Sequence, residues 1–256
     1  MSTVLFESKN NISYITLNRT DRYNALNKDM LMELHDVLEQ IEKNDDKIVI
    51  LSGKGKAFCA GGDIGMMTEF ADKNYYEHIM KTIEAIALKL YMMPKIVISA
   101  VQGSAVGLGL SLALTADYVV AQNESKLGML FIGIGLAPDG GGHFLLRERI
   151  GTHKAKQFIW EKQQLTGTDA KEIGLVDVLA DKQAIDHATE MANQMLVAPI
   201  VAMLKTKIMY HQSNEKELTY YMEAERKSQW ELRNTEDHQE GVSSFLNKRK
   251  PSFKGQ

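Results

Sequence analysis

Ile96-Val97-Ile98-Ser99-Ala100-Val101-Gln102-Gly103-Ser104-Ala105-Val106-Gly107-Leu108-Gly109 joins a short, mostly apolar run to a glycine-containing loop and the start of what reads as a helix. The run Ile96 to Val101 is too short for a buried helix and rich in β-branched residues, which is how a strand covered on both faces reads. Ile48 to Leu51, ending in Ser52-Gly53, has the same character. Between them Phe70 to Tyr91 reads largely as helix, Gly107 to Thr115 as a second helix, and Tyr118 to Ala121 as a further strand. This succession of βαβ units implies parallel strands with right-handed crossovers, and places any ligand at the strands' C-terminal ends.

Toward the N-terminus, Thr3 to Ser8 and Ile12 to Asn18 flank Lys9-Asn10-Asn11 and read as an antiparallel hairpin. From Asn27, placed as a cap, Met30, Leu31, Leu34, Val37, Leu38 and Ile41 recur at helical spacing. After about Gly151 strand signals almost vanish. Helical segments are expected over 153–160, 169–173, 181–196, 201–210, 216–233 and 236–247, so a helical portion follows an α/β core. No repeat or low-complexity tract is present, and Lys248-Arg249-Lys250 is a short charge cluster of the solvated kind.

The chain has 256 residues, with 30 Lys plus Arg against 33 Asp plus Glu and a formal net charge of −3. That balance offers no general attraction to nucleic acid or anionic lipid, and neither is expected as a partner. The N-terminus MSTVLFESKN has no basic stretch before an apolar run, and no window approaches the roughly 18 apolar residues of a membrane span. A cytoplasmic location is the expectation. Cys59 is the single cysteine, so no intrachain disulfide and no thiolate metal cluster is expected.

Three glycine-containing loops follow strand-like runs: Gly53 to Asp63, Gly103 to Gly109, and Pro138-Asp139-Gly140-Gly141-Gly142. Glycine permits close backbone approach, and a helix start offers unpaired N–H groups, so each loop could hold an anion or a developing oxyanion; each could equally be a tight turn. A nucleotide site does not fit. Gly107-Leu108-Gly109-Leu110-Ser111 lacks the third glycine of a dinucleotide loop, and Gly53-Lys54-Gly55-Lys56 lacks phosphate-loop spacing.

Taken together, Arg22 to Asn27 (RYNALN), Lys56 to Ile64 (KAFCAGGDI), Ala100 to Gly109 (AVQGSAVGLG), Pro138 to Gly142, Ala170 to Val176 (AKEIGLV) and Phe245 to Phe253 (FLNKRKPSF) resemble, in order and spacing, the successive motifs of the crotonase (enoyl-CoA hydratase/isomerase) superfamily. The resemblance spans essentially the whole chain. It implies an α/β fold with a ββα spiral acyl-CoA-binding core over 1–195 and a helical trimerisation region over 196–256. It further implies a homotrimer or dimer of trimers acting on an acyl-CoA thioester. No metal and no separate cofactor is implied, coenzyme A being part of the substrate.

By position in those motifs, the N–H groups of Gly62 and Leu108 would face the thioester oxygen, and Asp139 would be the acid/base. Hydratases of the family carry two glutamates, where this chain has Ser111 and Phe131. Substrate contacts are implied at Arg22, Asn24, Ala25, Ala60, Asp63, Ile64, Gly107, Phe131, Phe245 and Lys248, with Asp63 also readable as an acid that orients its own loop. Met66, Met67 and Phe70 are candidates for an acyl pocket or for ordinary core.

Without the family, Asp139 also reads as an N-cap before its glycine turn. Its neighbours Ile132, Ile134 and Leu136 could make its surroundings apolar and raise its pKa. His143 has no second ligand or nucleophile at a telling spacing and reads as incidental. A single carboxylate suffices to move a double bond, since it can take a proton from one carbon and return it to another. The expected activity is therefore an enoyl-CoA isomerase, with a hydratase, a thioester hydrolase and a non-catalytic RNA-binding member as the alternatives.

Overall fold

The computed structural model describes residues 2–256, apart from the side chains of residues 67–69. In chain order the first half runs β1 (Val4–Lys9), β2 (Ile12–Leu17), α1 (Lys28–Lys43), β3 (Ile48–Gly53), α2 (Ile64–Met67), α3 (Lys73–Met92), β4 (Ile96–Val101), β5 (Ser104–Val106), α4 (Leu108–Leu114), β6 (Tyr118–Gln122) and β7 (Lys126–Gly128). The second half runs α5 (Gly142–Trp160), β8 (Gln164–Thr166), α6 (Gly167–Glu172), β9 (Val178–Ala180), α7 (Ala184–Leu196), α8 (Ile200–Leu232) and α9 (Glu236–Leu246).

The main sheet has the order β1-β2-β3-β4-β6-β9 and is parallel except for the β1–β2 hairpin. Its register aligns Ile12 with Ile48 and Ile48 with Ile96. Ile48, Ile50, Ile96 and Ile98 therefore share one face, packed beneath α7 through Ala184, Ala188 and Ala192. Val49, Leu51, Val97 and Val101 share the other and join the main core with α1, α3, α4 and α5. Both faces are dry, which is why these strands carry almost no polar alternation. On α1 the Asn27 side chain accepts from Met30 N at 3.2 Å, the cap expected from sequence.

The structure departs from the sequence reading in three places. A second sheet, β5-β7-β8, and the last strand β9 consist of three-residue strands, too short to show a period, so strands do continue beyond Gly151. Helix α5 begins well before 153, because Gly151 at φ 74°, ψ 157° kinks one helix into two halves of which only the second was legible. Helix α8 is one 33-residue element where two were expected: the polar stretch 211–215 breaks the apolar pattern but holds neither glycine nor proline to break the backbone. The 195/196 boundary falls in the last turn of α7, and α8 returns to pack on α3 and α5. No helix among the described residues is long and apolar enough to cross a membrane.

Candidate active site

The first glycine loop is held against the segment before α1. Leu26 N donates to Gly61 O at 2.8 Å and Asp63 N to Leu26 O at 3.0 Å. Because backbone groups alternate along an extended chain, the Gly62 N–H between them points to the opposite side. The second loop is laced to the first: Cys59 N donates to Ser104 O at 2.9 Å and Val106 N to Cys59 O at 3.0 Å. A Cβ on Gly61 would lie 2.7 Å from Val106 O and 3.7 Å from Leu108 N, so the two backbones touch. Gly107, at φ 57° and ψ −127°, makes the turn into α4 that only glycine makes without strain. Leu108 is then the first helical residue, whose N–H has no acceptor within its own helix. Among the described residues neither the Gly62 nor the Leu108 N–H has an intrachain acceptor.

A cavity of about 400 Å³ opens beside these loops. Ala60, Gly62, Ile64, Gly107, Leu108, Phe131 and Phe245 line it, seven residues the sequence singled out. Lys162 and Gln164 line it as well and carried no sequence signal. Phe245 on α9 is 61% exposed, so the cavity has an apolar lip facing solvent.

Other expected contacts lie elsewhere. Asn24 is fully buried, its Nδ2 donating to Lys54 O, Ala57 O and Phe58 O and its Oδ1 accepting from Arg19 N, so its side chain faces the protein and not the cavity. Ala25, Arg22 and Lys248 are not among the lining residues, and Arg22 is solvent-facing beside Asp21. Asp63 accepts from Arg19 Nη1 at 2.5 Å and from Gly65 N at 2.8 Å, which orients its own loop. Arg19 was missed, since nothing in a 44-residue separation announces an ion pair. Met66 is core, Phe70 borders the cavity described next, and the Met67 side chain lies outside the described residues.

Asp139 is buried in a separate cavity of about 30 Å³, among Phe70, Tyr76, Met80, Leu136, Gln229, Arg233 and His238. Its Oδ2 accepts from Gln229 Nε2 at 3.3 Å, and its Oδ1 has no partner among the described residues. The N-cap of α5 is Gly141, without a side-chain cap, so Asp139 is not a capping residue. Burial first, and the negative charge of Glu225 second, push its carboxyl well above the usual range. Of the three apolar neighbours expected to do this, only Leu136 borders the cavity. Ser111 Oγ donates to Asp139 O at 2.7 Å, and a Cβ on Gly140 would lie 2.6 Å from Leu108 Cδ1. Leu108 thus lines the large cavity and packs its side chain against Gly140, the residue after the buried acid.

The fold is an α/β crotonase spiral with an appended helical region. It superimposes with a TM-score of 0.90, over 99% of each chain at 26% identity, on a crystal structure of an enoyl-CoA hydratase from Mycobacterium avium subsp. paratuberculosis. The family model for enoyl-CoA hydratase/isomerase matches residues 7–256, and the chain belongs to that family. YhaR of Bacillus subtilis, itself assigned only provisionally as an enoyl-CoA hydratase/isomerase, is 44% identical over 99% of both chains. The 1,2-epoxyphenylacetyl-CoA isomerase of Escherichia coli is 31% identical, over 100% of this chain and 99% of its own. Relatives thus include both reaction types.

Proposed function

We propose that this enzyme is an enoyl-CoA isomerase, shifting a double bond of an acyl-CoA thioester with Asp139 as acid/base. The observation carrying this reading is the Asp139 carboxyl, buried with Oδ1 unpartnered, while Ser111 and Phe131 stand neutral where hydratases of the family hold glutamates. In the proposed complex the thioester oxygen accepts from the Gly62 and Leu108 N–H groups. The acyl carbons pass the Leu108 side chain toward Asp139. The ionised carboxylate takes a proton from a carbon adjacent to the double-bond system, and the electron pair moves onto the thioester oxygen as an enolate. Each N–H is worth about 3–4 kcal/mol to that charge. The protonated Asp139 then returns the proton to the other end of the conjugated system, so mass is unchanged and no co-reactant is used. Hydration would also need a held water, for which the pair of glutamates is missing.

The same proposal includes coenzyme A as part of the substrate, no separate cofactor, a cytoplasmic location, and a homotrimer or dimer of trimers formed through residues 196–256. Exposed Met209, Tyr210 and Tyr220 on α8 are suited to such a contact. The test is incubation of pure protein and Asp139→Asn with 3-enoyl-, 2-enoyl- and 2,5-dienoyl-CoA, following mass and absorbance. Rearrangement at constant mass, lost in the variant, supports the reading; gain of water, unaffected by the substitution, makes the enzyme a hydratase, and release of free CoA makes it a hydrolase.

A further inference from the structure

Helix α8 carries a buried stripe, Leu218, Met222, Glu225 and Gln229, at spacings of four, three and four. The first two are apolar and pack on Gly141, whose Cβ would meet Leu218 Cδ1 at 2.9 Å and Met222 Cγ at 3.7 Å. The last two grip the segment that carries the acid from both ends. Gln229 Nε2 donates to Ala137 O at 2.5 Å and to Asp139 Oδ2 at 3.3 Å. Glu225 Oε2 accepts from Gly141 N at 2.7 Å, and its Oε1 accepts from His143 N at 3.0 Å and pairs with His143 Nδ1 at 2.8 Å.

Glu225 therefore supplies, from a helix more than 80 residues away, the cap that Gly141 cannot supply for α5. Its side chain is 2% exposed, so water does little to screen it from Asp139. A carboxylate that served only as a cap could be replaced by any acceptor. One set behind a second buried carboxyl also decides how readily that carboxyl loses its proton.

We infer that Glu225 is a positioning residue for Asp139: it clamps the glycine turn that carries the acid and fixes a negative charge behind it, making the C-terminal helix part of the acid/base. The inference rests on Asp139 being the acid/base. The other charged or titratable groups facing Asp139 are Tyr76 from α3, Arg233 from just beyond α8 and His238 from α9. Tyr76 spends its hydroxyl on Arg226 O, Arg233 lies over the Phe70, Tyr76 and Trp230 rings, and His238 Nδ1 meets Ile134 O at 2.8 Å. Beside burial, it is the Glu225 charge that raises the Asp139 pKa. His143, read from sequence as incidental, is its partner.

The experiment titrates Asp139 by infrared difference spectroscopy on ¹³C-Asp-labelled protein, with Asp139→Asn assigning the band, beside the pH profile of kcat and KM. Glu225→Gln should move both the band's titration and the acidic limb of kcat toward lower pH by about one unit or more, the effect of removing a close like charge. KM should change little, and Glu225→Asp, which keeps the charge, should stay near wild type. Should Glu225→Gln not fold, Glu225→Ser, a smaller neutral acceptor, is read in the same way, with the Asp139 band again expected to move toward lower pH. A uniform fall in kcat with the Asp139 titration unmoved would reduce Glu225 to a structural cap and overturn the inference. Because the infrared titration needs no turnover, an Asp139→Asn enzyme that stays active, beside an Asp139 band that Glu225→Gln still moves, would overturn the acid/base reading instead.

Discussion

Ser111 Oγ donates to the main-chain oxygen of Asp139 at 2.7 Å, tying α4, whose first residue Leu108 lines the large cavity, to the loop that carries the buried acid. The hydroxyl holds α4 and the Asp139 loop in register, and Ser111 is not among the residues lining the large cavity. In Ser111→Ala the carbonyl keeps its bond from Gly142 N, at 3.2 Å, so the loss should be about 1 kcal/mol of stability in urea titration. Ser111→Glu, by contrast, has no room: Ser111 is fully buried, and its Oγ lies so close to Gly142 that even a Cβ added there would sit 2.8 Å from it. It should lower folded yield and should not create a hydratase, which crotonyl-CoA turnover would reveal.

Gly61 has φ 98° and lies against Val106 O. Gly61→Ala forces the two glycine loops apart and displaces the Gly62 N–H from the Leu108 N–H. A fall in kcat of roughly 10²–10³-fold is expected, the cost of one lost oxyanion donor. Unchanged kcat at saturating acyl-CoA would show that these loops do not hold the thioester.

Asn24 separates a structural from a binding role. Asn24→Ala leaves the buried Ala57 and Phe58 carbonyls without this donor, which should cost about 3 kcal/mol of unfolding free energy, measured by urea denaturation. A raised KM with unchanged stability would instead make Asn24 a substrate contact.

Asp139 also makes stability depend on pH in a defined direction. Its folded pKa is raised, so its contribution is fully present below the unfolded value of about 3.9 and is lost as pH rises through the folded value. Asp139→Asn has no such loss. Its unfolding free energy should gain on wild type by up to about 1.4 kcal/mol per pH unit in that window. Denaturation of both proteins in parallel from about pH 4 to 8 measures the gap, and a gap that stays constant would mean that Asp139 titrates normally.

The β1–β2 hairpin, α1 with its Asn27 cap, and strands β3, β4 and β6 were legible in the sequence, because each carries its own period or cap within a few residues. So were seven residues around the large cavity, because the family resemblance marks them by their place in its motifs. Strands of three residues, the kink at Gly151 and the continuity of α8 were not: the first carry no period, and the others turn on backbone geometry that apolar spacing does not report.

The sequence by itself determined the family, the order of elements and the two glycine loops that line the large cavity, since all of these reside in contiguous residues. Only the tertiary structure decided that Asn24 turns inward, that Arg19 pairs with Asp63, and that Asp139 is a buried acid held by Gln229 through one oxygen alone and not a helix cap. The reason is distance along the chain. Gln229 and Glu225 stand 90 and 84 residues from their partners Asp139 and Gly141, and burial, which sets the acid's pKa, exists only once α8 has docked.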